Sequence, residues 1–202
     1  MAGESSIGGP LAWPADEAWP ECLVPDDQDG SGRNPCAMVP VLQLYRRDVP
    51  GAWWPEGVDL FQLLWCPNEH WGSDAPGQAE GAPVVLPVWR RVAETEGCRQ
   101  RAGVPPVRFE EWLVPRACAV GVEEAVEGRP VSRYDVWKLG GRAWWSTTDP
   151  CAYACSACEV SGELLLTVSS GDVSGLDVGG GGELRVYRCP VDLGHGYHVD
   201  LQ

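Results

Sequence analysis

The chain has 202 residues, enough to bury a core without disulfides, as one large domain or as two small ones in contact. Its formal net charge is −14, from 29 acidic against 15 basic residues, and such a surface repels phosphate backbones, which argues against nucleic acid as a partner. No apolar run approaches the roughly 18 residues of a membrane helix, and residues 1–14 lack a basic region followed by an apolar one, so a cytoplasmic protein without a membrane partner is expected. In that setting nine cysteines read as thiols or metal ligands rather than as a disulfide framework.

Eighteen prolines and 25 glycines interrupt most windows long enough for a helix, so strands separated by turns are predicted. In chain order the strand-length runs are Met38 to Tyr45, Leu60 to Cys66, Val84 to Val92, Glu163 to Ser169 and Glu183 to Cys189, each bounded by Gly, Pro, Asp or Ser. Residues 110–120 have some helical spacing, but Pro115 makes extended chain an equal reading, and 121–127 is the other short helix candidate. The acidic run Asp26, Asp27, Gln28, Asp29, Gly30 lacks the alternating ligands and closing Glu of a calcium loop and reads as a solvated turn.

An internal repeat constrains the fold more than any motif. The first copy reads Gly8-Gly9-Pro10-Leu11-Ala12-Trp13, then Val41-Leu42-Gln43-Leu44, then Asp59 to Pro67; the second reads Gly140-Gly141-Arg142-Ala143-Trp144-Trp145, then Leu165-Leu166-Thr167-Val168, then Gly182 to Pro190. One such module cannot bury both of its faces. The predicted architecture is therefore α+β and predominantly β: two diverged antiparallel sheet modules, 1–67 and 136–202, joined by 68–135 with additional strands and a short helix, and packed into one unit.

These segments, in this order, resemble the YwqG-like family of bacterial domains of unknown function. Carrying the resemblance are Gly8 to Pro14 with Trp19-Pro20, Val39 to Leu44 with Asp48-Val49-Pro50, Phe61 to Pro67 with His70, and later Lys138 to Gly141, Leu164 to Val168 and Gly182 to Leu184. The resemblance implies a β-rich duplicated fold with no established activity, and some members sit beside toxin genes as immunity proteins do. Relatives usually follow the second Gly-Gly with Pro, an aromatic and Gln, where this chain has Arg142, Ala143 and Trp144.

Chemistry is concentrated near the C-terminus. Cys155 and Cys158 form a C-x-x-C, Cys151 stands four residues earlier and Cys189 ends a later strand, a spacing that suits tetrahedral zinc in a structural role. Cys151 is the first choice of fourth ligand, with His195 or His198 behind it; free thiols in the core are the alternative reading. Similar relatives have Gly after the second cysteine, where this chain has Glu159. Cys66 and His70 lack a visible orienting group or oxyanion hole, and read as a strand-end cysteine beside a surface-loop histidine rather than as a nucleophile and base. His195 and His198 are placed on a C-terminal strand.

Two functions of different class follow. The first is a non-catalytic binding protein whose acidic surface meets a basic protein partner, such as a toxin countered by its immunity protein. The second is a small-ligand protein or enzyme with a pocket between the modules lined by Trp53, Trp54, Trp144 or Trp145, and the candidate ligand or partner surface comprises those rings with His195 and His198.

Overall fold

The computed structural model describes residues 3–24, 35–49, 51, 53–71, 77–95, 99–101, 109–124, 136–145 and 148–202. Its strands are β1 (Ser6–Ile7), β2 (Leu11–Trp13), β3 (Glu21–Cys22), β4 (Cys36–Ala37), β5 (Val39–Tyr45), β6 (Leu60–Trp65), β7 (Val85–Arg90), β8 (Arg99–Arg101), β9 (Cys118–Ala119), β10 (Lys138–Leu139), β11 (Glu163–Ser169), β12 (Glu183–Arg188) and β13 (His198–Leu201). Helix among the described residues is limited to 3-10 turns at Val92–Thr95 and Glu111–Leu113, because Gly and Pro leave no longer window free. The α component expected from sequence thus shrinks to these turns. Residues 121–124 of the expected 121–127 helix are irregular, and the remainder, like 26–30, lies outside the described residues.

Two sheets dominate, one ordered β7-β6-β5-β1-β9 and the other β10-β11-β12-β13, with the small pairs β2-β8 and β3-β4 beside them. Four strands of each sheet correspond in order and register. In the first, Leu42 pairs with Leu63, Gln43 with Gln62 and Leu44 with Phe61; in the second, Leu166 pairs with Val186, Thr167 with Arg185 and Val168 with Leu184. Both hairpins skip one residue at the same place, leaving Val41 and Leu165 as bulges. The outer strands agree as well, Phe61 facing Trp89 on β7 as Leu184 faces Leu201 on β13. β7 therefore belongs to the first sheet, although it falls within the segment expected to be a connector.

The paired glycines show why this pattern recurs. Gly8, Gly9, Gly140 and Gly141 all have positive φ, between 62° and 80°, and the amides of Gly8 and Gly140 bond the carbonyls of the bulged Val41 and Leu165 at 2.9 and 2.8 Å. A Cβ on Gly8 would lie 2.6 Å from the Arg116 carbonyl carbon, so only glycine fits that turn.

Alternation along the strands sends one face of each sheet into a shared core. Val41, Leu44, Phe61, Leu63 and Trp65 from the first sheet pack in one cluster with Leu165, Val168, Leu184, Val186 and Val199 from the second. Each such side chain contributes about 1.5–3 kcal/mol on burial, so the seam is the main source of cohesion. Trp53 ties it together, its indole N–H donating to the Leu165 carbonyl at 2.7 Å while its ring stands edge-on to Phe61 and Trp54 at 5.1 Å. The opposite face of the first sheet carries a second cluster containing Leu11, Trp13, Cys22, Cys36, Met38, Leu64 and Cys66. That placement buries β6 on both sides and accounts for its nearly unbroken apolar sequence.

Candidate metal centre

β12 ends at Arg188, so Cys189 emerges at the sheet rim on the face opposite the shared core, beside the turn that leads into β11. That turn is built by the backbone: Cys155 N–H donates to the Val160 carbonyl at 2.8 Å, Glu159 N–H to the Cys155 carbonyl at 2.8 Å, and Gly162 N–H to the Tyr153 carbonyl at 2.7 Å. Glu159 carries a φ of 61°, the left-handed conformation in which glycine is unstrained, so its position after the second cysteine is one where a Gly would fit. The turn points Cys155 and Cys158 toward Cys189, and a second turn from Asp192 to His195 brings in the imidazole.

The four donors converge. Cys158 Sγ lies 3.6 Å from Cys189 Sγ, and His195 Nδ1 lies 3.4 Å from both Cys155 Sγ and Cys189 Sγ, with all four donor atoms within 4.8 Å of one another. Zinc bond lengths of about 2.3 Å to sulfur and about 2.0 Å to nitrogen give tetrahedral edges of roughly 3.8 Å for S···S and roughly 3.6 Å for S···N. The three closest pairs therefore lie near tetrahedral edges, and the four donors together could hold a metal ion. On the other side of the ring, Asp192 Oδ2 lies 3.8 Å from His195 Nε2, an ion-pair contact longer than a hydrogen bond.

The electrostatics fit a cation. The Ala157 amide, with help from the amide of Cys158, holds the Cys155 thiol below its ordinary range. Burial acts upward on Cys189, but the amides of Asp192 and Val191, with His195 and Cys158, bring it below its usual value; the Val191 contact is 3.4 Å. Cys158 is favoured by the Val160 amide, yet burial and the neighbouring Cys189 and Cys155 push it up. Amide dipoles favour thiolates here while the sulfurs repel one another as charges, an arrangement that a positive ion between them relieves.

The residues expected from sequence thus separate. Cys155, Cys158 and Cys189 come together, but Cys151 is exposed, its thiol directed to the Ala152 carbonyl at 3.8 Å, and His195 takes the fourth place. β13 starts only at His198, which leaves His195 in the preceding turn, free of strand alternation. His198 stacks on Tyr153 with centroids 3.6 Å apart, lining a small cleft with Tyr187 and Tyr197, and burial lowers its pKa. Trp53 and Trp54 are committed to the seam, Trp144 is exposed, and Trp145 lies under the Arg185 guanidinium at 5.1 Å, so these four rings do not wall one pocket.

A second group, which sequence reasoning did not assemble, consists of Cys22, Cys66 and His70, all buried. His70 is fully buried rather than on a surface loop, paired through its backbone with Ala82. Among the described residues no helix is long and apolar enough to cross a membrane. No family model, curated protein or solved structure matches the chain.

Proposed function

We propose that the chain is a non-catalytic binding protein whose second sheet is clipped by a structural zinc ion on Cys155, Cys158, Cys189 and His195. The observation that carries this reading is the convergence of four protein donors within 4.8 Å of one another, three of the pairs at 3.4–3.6 Å. Four protein ligands fill the coordination sphere of zinc, whereas catalytic zinc keeps one position open for water or substrate. The ion holds the 155–162 turn against the rim of β12 and orders the exposed face around it. The net charge of −14 supports a basic protein surface as the partner, with attraction acting mainly on the rate and selectivity of docking. The resemblance to YwqG-like domains favours an immunity-type role against a toxin.

Two measurements test this. Protein purified under reducing conditions should retain zinc through dialysis, and a preparation that folds fully without metal overturns the clip. A basic toxin-like protein, sought among the products of neighbouring genes, should bind the chain with an affinity that falls as salt rises; absence of any such binder at low salt overturns the proposed partner.

A further inference from the structure

The second cysteine-histidine group occupies the first sheet as the proposed clip occupies the second. The register that aligns Gln62 with Arg185 and Leu63 with Val186 continues to Cys66 and Cys189, each directly after its strand and each followed by Pro. A histidine comes next in both, His70 four residues on and His195 six residues on. Two of the converging cysteines precede each hairpin, Cys22 and Cys36 before β5, Cys155 and Cys158 before β11, with Cys151 outside the second group. The order Cys, Cys, Cys, His is the same in both copies.

The geometry of the first-sheet group stands on its own. Cys22 and Cys36 are directly opposed on the β3-β4 ladder, which sets their side chains on one face. Cys22 Sγ lies 3.7 Å from His70 Nε2, and the donor atoms of Cys22, Cys66 and His70 all fall within 4.8 Å of one another. Cys36 Sγ is 3.1 Å from Cys66 Sγ, adjoining the trio. The amide of Asn68, a fully buried side chain, donates to the sulfurs of both Cys36 and Cys66 at 3.7 Å. Three sulfurs, an imidazole and a donor aimed at two of the sulfurs form a polar island among Leu11, Trp13, Met38 and Leu64. Packing alone gives no reason for four soft donors to converge there, because buried cysteine acts as a small hydrophobe that needs no partner of its kind.

We propose that Cys22, Cys66 and His70, completed by Cys36, form a second structural zinc site, so that each sheet carries its own metal clip. Cys36 is the corner that moves, since 3.1 Å is shorter than the roughly 3.8 Å separating two sulfurs on one zinc ion. The site is enclosed by the first-sheet cluster, so its ion exchanges more slowly than the ion at the rim. This inference shares the chemistry of the proposed clip, but it concerns different residues and fails separately.

The test is metal stoichiometry under reducing conditions, measured by elemental analysis and native mass spectrometry. Two zinc ions per chain are expected in the unaltered protein, one in Cys22→Ser, one in Cys189→Ser, and two in His70→Cys, which keeps four donors. Cobalt substituted for zinc should give twice the thiolate-to-metal absorbance per chain expected of one tetrahedral site, a readout that requires no variant. One ion per chain that survives Cys22→Ser and is lost in Cys189→Ser overturns the second site and leaves the rim clip standing. One ion with the opposite sensitivity retains the second site and removes the clip. A native mass 2 Da low, with Cys36 and Cys66 recovered as a disulfide, also overturns the second site.

Discussion

The outer faces of the two sheets have the same backbone and different cover. On the first, Gln43 and Gln62 bond each other and the Ala12 backbone at 2.8–2.9 Å, which docks β2 across the sheet and buries the face. On the second, the equivalent positions hold Thr167 and Arg185, and residues 142–145 after Gly140-Gly141 form no strand. There Arg185, fully buried, is sandwiched among Glu183 at 3.5 Å, Asp200 at 3.6 Å and the Trp145 ring. Amide pairs can recruit a strand because they bond to backbone, whereas a buried guanidinium requires carboxylates. An amide pair and a buried ion cluster thus fill the same register positions of the two sheets.

The largest effect expected from breaking this comparison is at the proposed rim clip. Removing the rim ion by Cys189→Ser should lower stability by roughly 4 kcal/mol or more, a fall in Tm of about 8–16 °C for a domain of this size, read by thermal melting with and without added zinc. Unchanged melting would show that the second sheet needs no clip. Next comes the seam, where Trp53→Ala removes the ring contacts and the hydrogen bond to Leu165 and should cost about 3–5 kcal/mol in urea unfolding. Loss of much less would mean that the sheets are held by other contacts. Writing the first sheet's residue into the second, Arg185→Gln, should cost about 3 kcal/mol, because Glu183 and Asp200 lose their shared counter-charge. The converse Gln62→Arg, with no facing carboxylate pair, should be at least as damaging, and equal tolerance of both would sever the link between cover and charge.

The smallest effect concerns pH. Burial holds the His198 pKa below its ordinary 6.5, so above that value both the folded and unfolded states carry it neutral. As pH falls through 6.5 the unfolded chain takes up the proton first, and stability declines until the folded-state pKa is passed. His198→Gln should flatten stability between neutral and mildly acidic pH, as measured by urea midpoints. An unaltered slope would assign the dependence to other groups.

Much of the scaffold was legible in the sequence because period-two burial and turn residues act locally. β11 has the bounds read from sequence, while β5, β6 and β12 lose one terminal residue and β7 loses one at its start and two at its end. The matching segments were legible because the Gly-Gly turn and the bulged hairpin each answer a backbone requirement. The candidate metal ligands were legible only in part. C-x-x-C spacing marks Cys155 and Cys158, since one turn sets both, but Cys151 satisfies the same spacing argument and points to solvent. His195 is selected by the turn after Cys189, which no local pattern announces. Aligning His70 with His195 would have found it, and it would also have found the first-sheet group, whose Cys22 and Cys36 stand too far apart in sequence for a motif.

The most direct measurement of the central claim is anomalous diffraction at the zinc edge from crystals grown under reducing conditions. Metal clips on equivalent hairpin ends predict two peaks, one among Cys155, Cys158, Cys189 and His195 and one among Cys22, Cys36, Cys66 and His70. A map with the hairpins in place and no peak between Cys189 and His195 would contradict it.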